Sequence, residues 1–221
     1  MPPVLDGRIP GNTVPLCTHC LAELTSLRLP QDNRCRICGV PLISEHDVCM
    51  RCREREYAFD SHAAVFMYRG IVRKLLGLYK FRSVKSLGCI FAAYLAEHIR
   101  ENGYSKIPIV PAPPRARKLR TNGWEHVQVI VHLLEHRCGC RVIRPLGRRG
   151  GSEQKRLDFE RRHENVRGRI RICRTHERKQ PPETVVLLDD VFTTGATSHE
   201  SAWVLKKWGT EKVHVLTIAM D

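Results

Sequence analysis

Val185-Val186-Leu187-Leu188-Asp189-Asp190-Val191-Phe192-Thr193-Thr194-Gly195-Ala196-Thr197 decides the fold. Four apolar residues end in two adjacent carboxylates, a small hydroxyl-rich loop follows, and a helix-like segment begins after it. A short apolar run is the pattern of a parallel strand buried on both faces. In open α/β sheets the carboxyl end of such a strand is where ligands bind. Backbone N–H groups and hydroxyls of Thr193, Thr194, Gly195, Ala196 and Thr197 can then face a phosphate, with a helix N-terminus behind them. Asp189 and Asp190 are acceptors suited to sugar hydroxyls or a Mg²⁺ complex. An ordinary core strand with a polar turn has no need of Asp-Asp followed by Thr-Thr-Gly.

Outward from that stretch, strands and helices alternate. Ala63 to Tyr68 reads as a strand, 71 to 80 as a helix, and 84 to 101 as a second helix with Leu87, Ile90, Phe91, Tyr94 and Leu95 on one face. Ile107 to Val110 is a short strand that runs into Pro111-Ala112-Pro113-Pro114, where the chain must leave the sheet. A helix over 122 to 136, a weaker strand over 142 to 146, a helix over 197 to 208 and a strand over 213 to 219 complete the series. Alternation of this kind makes a mostly parallel open sheet with helices on both faces.

The chain has 221 residues, enough for one medium domain and a small module. The expected division is 1–55, rich in cysteine, and 56–221, the α/β domain, with a charged linker over 53 to 61. No apolar run approaches a membrane span and the N-terminus lacks a signal peptide's apolar stretch, so a cytoplasmic protein is expected. The net charge is +14, and residues 141 to 180 hold 14 Lys and Arg against 5 Asp and Glu. That segment suits an anionic partner: pyrophosphate, phosphosugar or nucleic acid.

Six of the ten cysteines form Cys17/Cys20, Cys35/Cys38 and Cys49/Cys52. In a reducing compartment such pairs point to metal and not to disulfides. Cys35, Cys38, Cys49 and Cys52 make one complete four-thiolate Zn²⁺ site, closed and therefore structural. Cys17 and Cys20 resemble half of a second ribbon; pairing them with Cys35 and Cys38 is the rival arrangement. His132 and His136 lie one helical turn apart without a third ligand, and read as solvent-facing.

The thirteen residues from Val185 resemble the motif with which type I phosphoribosyltransferases bind 5-phosphoribosyl-1-pyrophosphate (PRPP). Three further segments narrow the likeness: Leu78-Tyr79-Lys80-Phe81; Val110-Pro111-Ala112-Pro113 followed by Arg115, Arg117, Lys118, Arg120 and Gly123-Trp124-Glu125-His126; and Gln154-Lys155 with Leu157, Arg162, Asn165 and Val166. With the cysteine pairs, and in this order, they resemble the ComF family of competence-associated proteins.

That resemblance implies a type I phosphoribosyltransferase fold behind a zinc ribbon, with PRPP or a related phosphosugar bound with Mg²⁺. It implies that Asp189 and Asp190 hold the ribose hydroxyls and that Thr193 to Thr197 wrap the 5-phosphate. Arg115, Arg117, Lys118 and Lys80 are the candidates for the pyrophosphate. Single-stranded DNA, handled during natural transformation, is the implied partner, with a DNA-processing helicase beside it. A metabolic phosphoribosyltransferase acting on a small base, or a non-catalytic adaptor for DNA or protein, are the alternatives. Purine-salvage relatives carry an aspartate where Thr193 stands, which disfavours a 6-oxopurine substrate. Two positions depart from the family: it commonly has two more cysteines at its start, and it reads Asn-Gln where this chain has Glu125-His126. Gly195 is expected to leave the backbone open to phosphate, so that valine there would block the ligand and spare the fold.

Overall fold

The computed structural model describes residues 16–114, 125–148 and 168–221. Its elements in chain order are α1 (Thr18–Ser26), α2 (Met50–Arg53), β1 (Ser61–Met67), α3 (Gly70–Phe81), α4 (Leu87–Glu101), a 3₁₀ turn (Tyr104–Lys106), β2 (Ile109–Pro111), α5 (His126–Cys138), β3 (Leu146–Arg148), β4 (Ile170–Ile172), β5 (Thr184–Phe192), α6 (Ala196–Trp208) and β6 (Lys212–Met220). Four strands form a sheet in the order β1-β6-β5-β2, every pairing parallel. β3 and β4 pair antiparallel beside it.

Side chains of a strand alternate between faces, and β5 and β6 show that period on two cores. Val186, Leu188, Leu216 and Ile218 join α1, α3, α4 and α5 in one apolar cluster. Val185, Leu187, Val213 and Val215 join α6, β3, β4 and the four cysteines of 35–52 in the other. The strand is apolar throughout because both faces are covered. The expected parallel sheet with helices on both faces is what the chain forms; Cys35 to Cys52 pack on the α6 side, and α1 packs on the other.

Local departures from the sequence reading have local causes. Pro111 stays in the sheet as the last residue of β2. That strand is an edge, where a missing N–H costs no ladder bond, and Ala112 N–H continues the pairing to Leu188 O at 2.8 Å. Over 142 to 146 only Val142 bridges, to Ile109, and β3 begins at Leu146, because Pro145 interrupts the run. Residues 18–26 form a helix where a second ribbon was expected; Leu24 anchors it in the first core at 0% exposure. The charged linker is pinned: Tyr57 and Phe59 stack at 4.7 Å, and Asp60 accepts Val213 N–H at 2.7 Å. Among the described residues no helix is long and apolar enough to cross a membrane.

His98 lies buried on α4 with its Nε2 atom unpartnered. Burial pushes its pKa down to about 4, with the charges of Arg34 and Arg28 adding to it. The folded state therefore favours neutral imidazole, while the unfolded chain protonates near pH 6.5. Its contribution is present above that pH and is lost as pH falls towards 4. Urea titrations of wild type and His98→Leu across this window should diverge, wild type losing about 1.4 kcal/mol more per pH unit. Parallel curves would refute the assignment.

Candidate functional site

Asp190 shares the face of β5 that carries Val186 and Leu188, which points it towards α3 and α5. β2 pairs with β5 only as far as Pro111 and Leu188. Past that point Ala112, Pro113 and Pro114 form one wall of a cleft at the carboxyl end of β5. Lys80, in the last turn of α3, meets Asp190 Oδ2 at 2.9 Å. His126, the first residue of α5, brings Nε2 to the same oxygen. Asp190 Oδ1 accepts Val191 N–H at 2.6 Å, and Asp189 Oδ1 accepts Asp190 N–H at 2.8 Å.

Glu125 backs this group. One carboxylate oxygen caps α5 by accepting Gln128 N–H at 2.9 Å, and the other lies 3.6 Å from His126 Nδ1. Tyr79 on α3 donates its hydroxyl to His126 O at 2.7 Å, tying the two helices together. Burial raises the cost of charge on Asp190, but the hydrogen bond from His126 and the charge of Lys80 outweigh it and hold the carboxyl well below the usual range. Asp189 behaves oppositely: burial, then the negative charge of Asp190, pushes it up to about 7. The acidic pair therefore carries less than two full charges at neutral pH.

These groups line a cleft of about 290 Å³ that also reaches Arg148, Thr193 and Thr197. It is at the lower end of small-ligand pockets. Thr193 to Thr197 enter α6 through Gly195, whose φ of +75° is left-handed. Thr194 Oγ1 accepts Ala196 N–H at 3.4 Å, and Tyr57 donates its hydroxyl to Thr194 O at 3.4 Å. The glycine has a second cause that sequence did not reveal. A Cβ there would lie 2.8 Å from Phe192 Cζ and 2.9 Å from Tyr57 Cε1. Valine at 195 would thus disturb aromatic packing as well as the loop, and the expectation that it spares the fold is corrected.

The Sγ atoms of Cys35, Cys38, Cys49 and Cys52 all lie within 4.8 Å of one another, and all four residues are buried. Cys38 and Cys49 Sγ are 3.6 Å apart. Four thiolates at about 2.3 Å around a tetrahedral ion are separated by roughly 3.8 Å, so the cluster is nearly formed for one. Burial pushes the Cys38 thiol up to about 12 and raises Cys52 as well. Burial also opposes ionisation of Cys35, but N–H groups of Cys38, Cys49 and Ile37 prevail and lower it to about 7. Four buried sulfurs, with Cys49 N–H donating to Cys35 Sγ at 3.4 Å, are a donor set that a dication completes. The four cysteines can hold a structural metal ion.

Cys17 and Cys20 stand apart from that cluster. Cys17 caps α1, its Sγ accepting Cys20 N–H at 3.4 Å. The rival pairing with Cys35 and Cys38 is not what the structure brings together. His132 and His136 have ring centroids 4.2 Å apart on the exposed side of α5, and no third ligand joins them among the described residues. Arg115, Arg117 and Lys118 lie outside the described residues, as do Gly123-Trp124 and the segment from Gln154 to Val166. Of the residues expected from sequence, Lys80, Asp189, Asp190, Thr193 and Thr197 meet in one cleft. Glu125 and His126 are additions; their position in the Gly-aromatic motif was the available signal.

The parallel sheet thus carries an acidic pair and a hydroxyl-rich loop at the carboxyl end of an interior strand, and is joined to a four-cysteine module. No family model matches the chain. Over 205 residues it is 23% identical to Competence protein ComFC of Streptococcus pneumoniae, covering 92% of this chain and 86% of that protein. It is also 23% identical over 211 residues to Competence protein F of Haemophilus influenzae, covering 92% and 90%. Both relatives carry competence-protein names, and each is matched over most of its length. A solved structure, glutamine PRPP amidotransferase from B. subtilis in complex with ADP and GMP, aligns with TM-score 0.36 and 19% identity, over 61% of this chain. The chain spans about a quarter of that structure's length, 25%.

Metal analysis of purified protein should find about one divalent ion per chain, since a single closed four-thiolate site holds one. Cys49→Ser should lose it and loosen the N-terminal segment, because metal binding and local folding are linked. Cys17→Ser should retain it. Two ions per chain, or loss in Cys17→Ser, would contradict the four-cysteine assignment.

Proposed function

We propose that this is a ComF-like protein that binds PRPP, or a closely related phosphosugar, with Mg²⁺ in the cleft at the end of β5. Zinc at Cys35, Cys38, Cys49 and Cys52 holds its N-terminal module. Its work lies beside single-stranded DNA in natural transformation, the setting that the names of both competence relatives suggest. The observation that carries the reading is the convergence of Asp189, Asp190, Lys80 and the two ends of the loop, Thr193 and Thr197, on one cleft.

Each group has a task in this reading. The loop and the N-terminus of α6 receive the 5-phosphate. Asp189, with a carboxylate oxygen not used by the backbone, and Asp190 receive the ribose hydroxyls. Transfer from PRPP passes through a sugar with oxocarbenium character, and carboxylates beside the ribose favour that developing charge. When bound, Mg²⁺ supplies charge neutralisation at the pyrophosphate. Lys80 exchanges Asp190 for the incoming anion, while His126 keeps its hydrogen bond to Asp190. Removal of one partner from this buried group is costly, so Asp190→Asn lowers stability as well as binding. Thr197→Val is the cleaner probe, since it removes a hydroxyl and keeps the shape.

Mg²⁺-PRPP should raise the melting temperature of wild type by mass action. Calorimetry should show Thr197→Val binding about tenfold more weakly, the effect of losing one hydrogen bond to a charged ligand. Absence of any thermal shift at millimolar PRPP would eliminate the phosphosugar reading and leave an adaptor.

The basic segment 141 to 180 supports the DNA half of the reading. Arg148 ends β3 and lines the cleft, and Arg171 and Arg174 follow in the sequence. Single-stranded DNA binding should weaken steeply with salt, because neutralised phosphates release counterions. Charge reversal at Arg148, Arg149 and Lys155 should reduce it with little change in melting temperature. Salt-independent binding, or binding that survives the reversal, would count against this segment.

A further inference from the structure

The four-cysteine cluster and the phosphate loop are packed on the same side of the sheet, with three side chains between them. The knuckle Cys35–Gly39 sits directly on β1. His62 N–H donates to Ile37 O at 2.7 Å, and His62 Nδ1–H donates to Cys38 O at 2.6 Å. Gly39 has φ +69°, and a Cβ there would lie 2.3 Å from His62 O, so knuckle and strand are in backbone contact.

From His62 the contact passes to the end of β5. Its ring lies flat on Phe192, centroids 4.0 Å apart and planes inclined by 19°. Phe192 and Tyr57 are the two walls against Gly195. Tyr57 follows the last cysteine by five residues, and its hydroxyl bonds Thr194 O. Its neighbour Ala58 donates N–H to His199 Nδ1, in the first turn of α6, at 3.1 Å. The four cysteines, Phe59, Phe192 and Ala196 belong to one apolar cluster.

We infer that Tyr57, His62 and Phe192 are positioning residues that transmit the folded state of the cysteine knuckle to the Thr193–Thr197 loop, so that metal occupancy and anion binding are coupled. The two-state element is the knuckle itself, folded around its ion or loosened without it. Loosening withdraws the knuckle's hydrogen bonds from His62, which is stacked on Phe192, and frees Tyr57 from the loop. By linkage the effect is reciprocal: an anion that orders the loop retains the metal. The loop half of this inference needs no ligand; only the anion half rests on the phosphosugar reading.

Hydrogen exchange of the full chain, metal-loaded and chelator-treated, tests it. Amides of 193–198 should exchange at least about tenfold faster after metal removal, within the ordinary range of coupling between sites. Those of α4, on the opposite face, should be unchanged. Unaltered loop exchange overturns the inference. Equal loosening of α4 overturns it too, since the ion would then act on global stability.

Metal-loaded Tyr57→Phe keeps the ring and loses the hydroxyl. It should show several-fold faster loop exchange at an unchanged melting temperature. Wild-type exchange would remove Tyr57 from the path. In wild type, Mg²⁺-PRPP should slow metal transfer to a chelator, and Tyr57→Phe should lessen that protection. If the loop loosens on metal removal but PRPP binds neither form, the phosphosugar reading fails and the coupling stands. If PRPP binds both forms equally, the coupling fails and the phosphosugar reading stands.

Discussion

A carboxylate at the end of an interior strand, whose residues Val185 to Leu188 are all buried, has to be neutralised where it stands. Asp190 meets that requirement with Lys80 from α3 and His126 from α5 on one oxygen. The arrangement fixes where both helices end on the sheet, and Tyr79 reinforces it with its bond to His126 O. Asp189, one residue away, faces the other problem. With Asp190 ionised and burial unfavourable to a second charge, it titrates near neutrality. Two chemically identical side chains thereby acquire different roles through their neighbours alone.

The other fixed point is the cysteine cluster. It is continuous with the apolar core beneath α6, and its backbone is bonded to β1. A small metal module attached by a flexible tether would leave the sheet indifferent to its state. This one contributes part of the surface against which the loop residues pack. The glycine at 195 records that crowding: it serves a left-handed turn and a narrow space between two aromatic rings at once.

Much of this was legible in the residues. The apolar run 185–188 gave the central strand because burial on both faces leaves no polar alternation. The four-cysteine cluster was legible in spacing, since two Cys-x-x-Cys knuckles need only a turn to meet. Asp189, Asp190 and the threonine loop were legible as a motif. What was not legible depended on contacts distant in sequence. Lys80 and Asp190 are 110 positions apart, and nothing local says that they pair. Helix α1 was hidden by its cysteines, which suggested a knuckle where Cys17 in fact caps a helix. Glu125 and His126 looked like departures from a family pattern; their use appears only when α5 is set against β5. Pro111 was misjudged because edge position, which permits it, is a property of the sheet and not of the tetrapeptide.

That edge has a consequence for self-association. An open parallel sheet exposes two rows of unpaired amides and carbonyls that another chain could extend. Here β2 is three residues long and ends in proline, and its outer side is engaged by Ile109 N–H to Arg141 O and Ile143 N–H to Ile109 O. The outer side of β1 is engaged by residues 27–29, through Leu29 N–H to Val65 O and Met67 N–H to Leu27 O. Both borders of the sheet are thus closed by the chain's own short segments. Among the described residues the four-stranded sheet, the most apolar part of the molecule, is shielded from edge-to-edge pairing by its own connecting backbone.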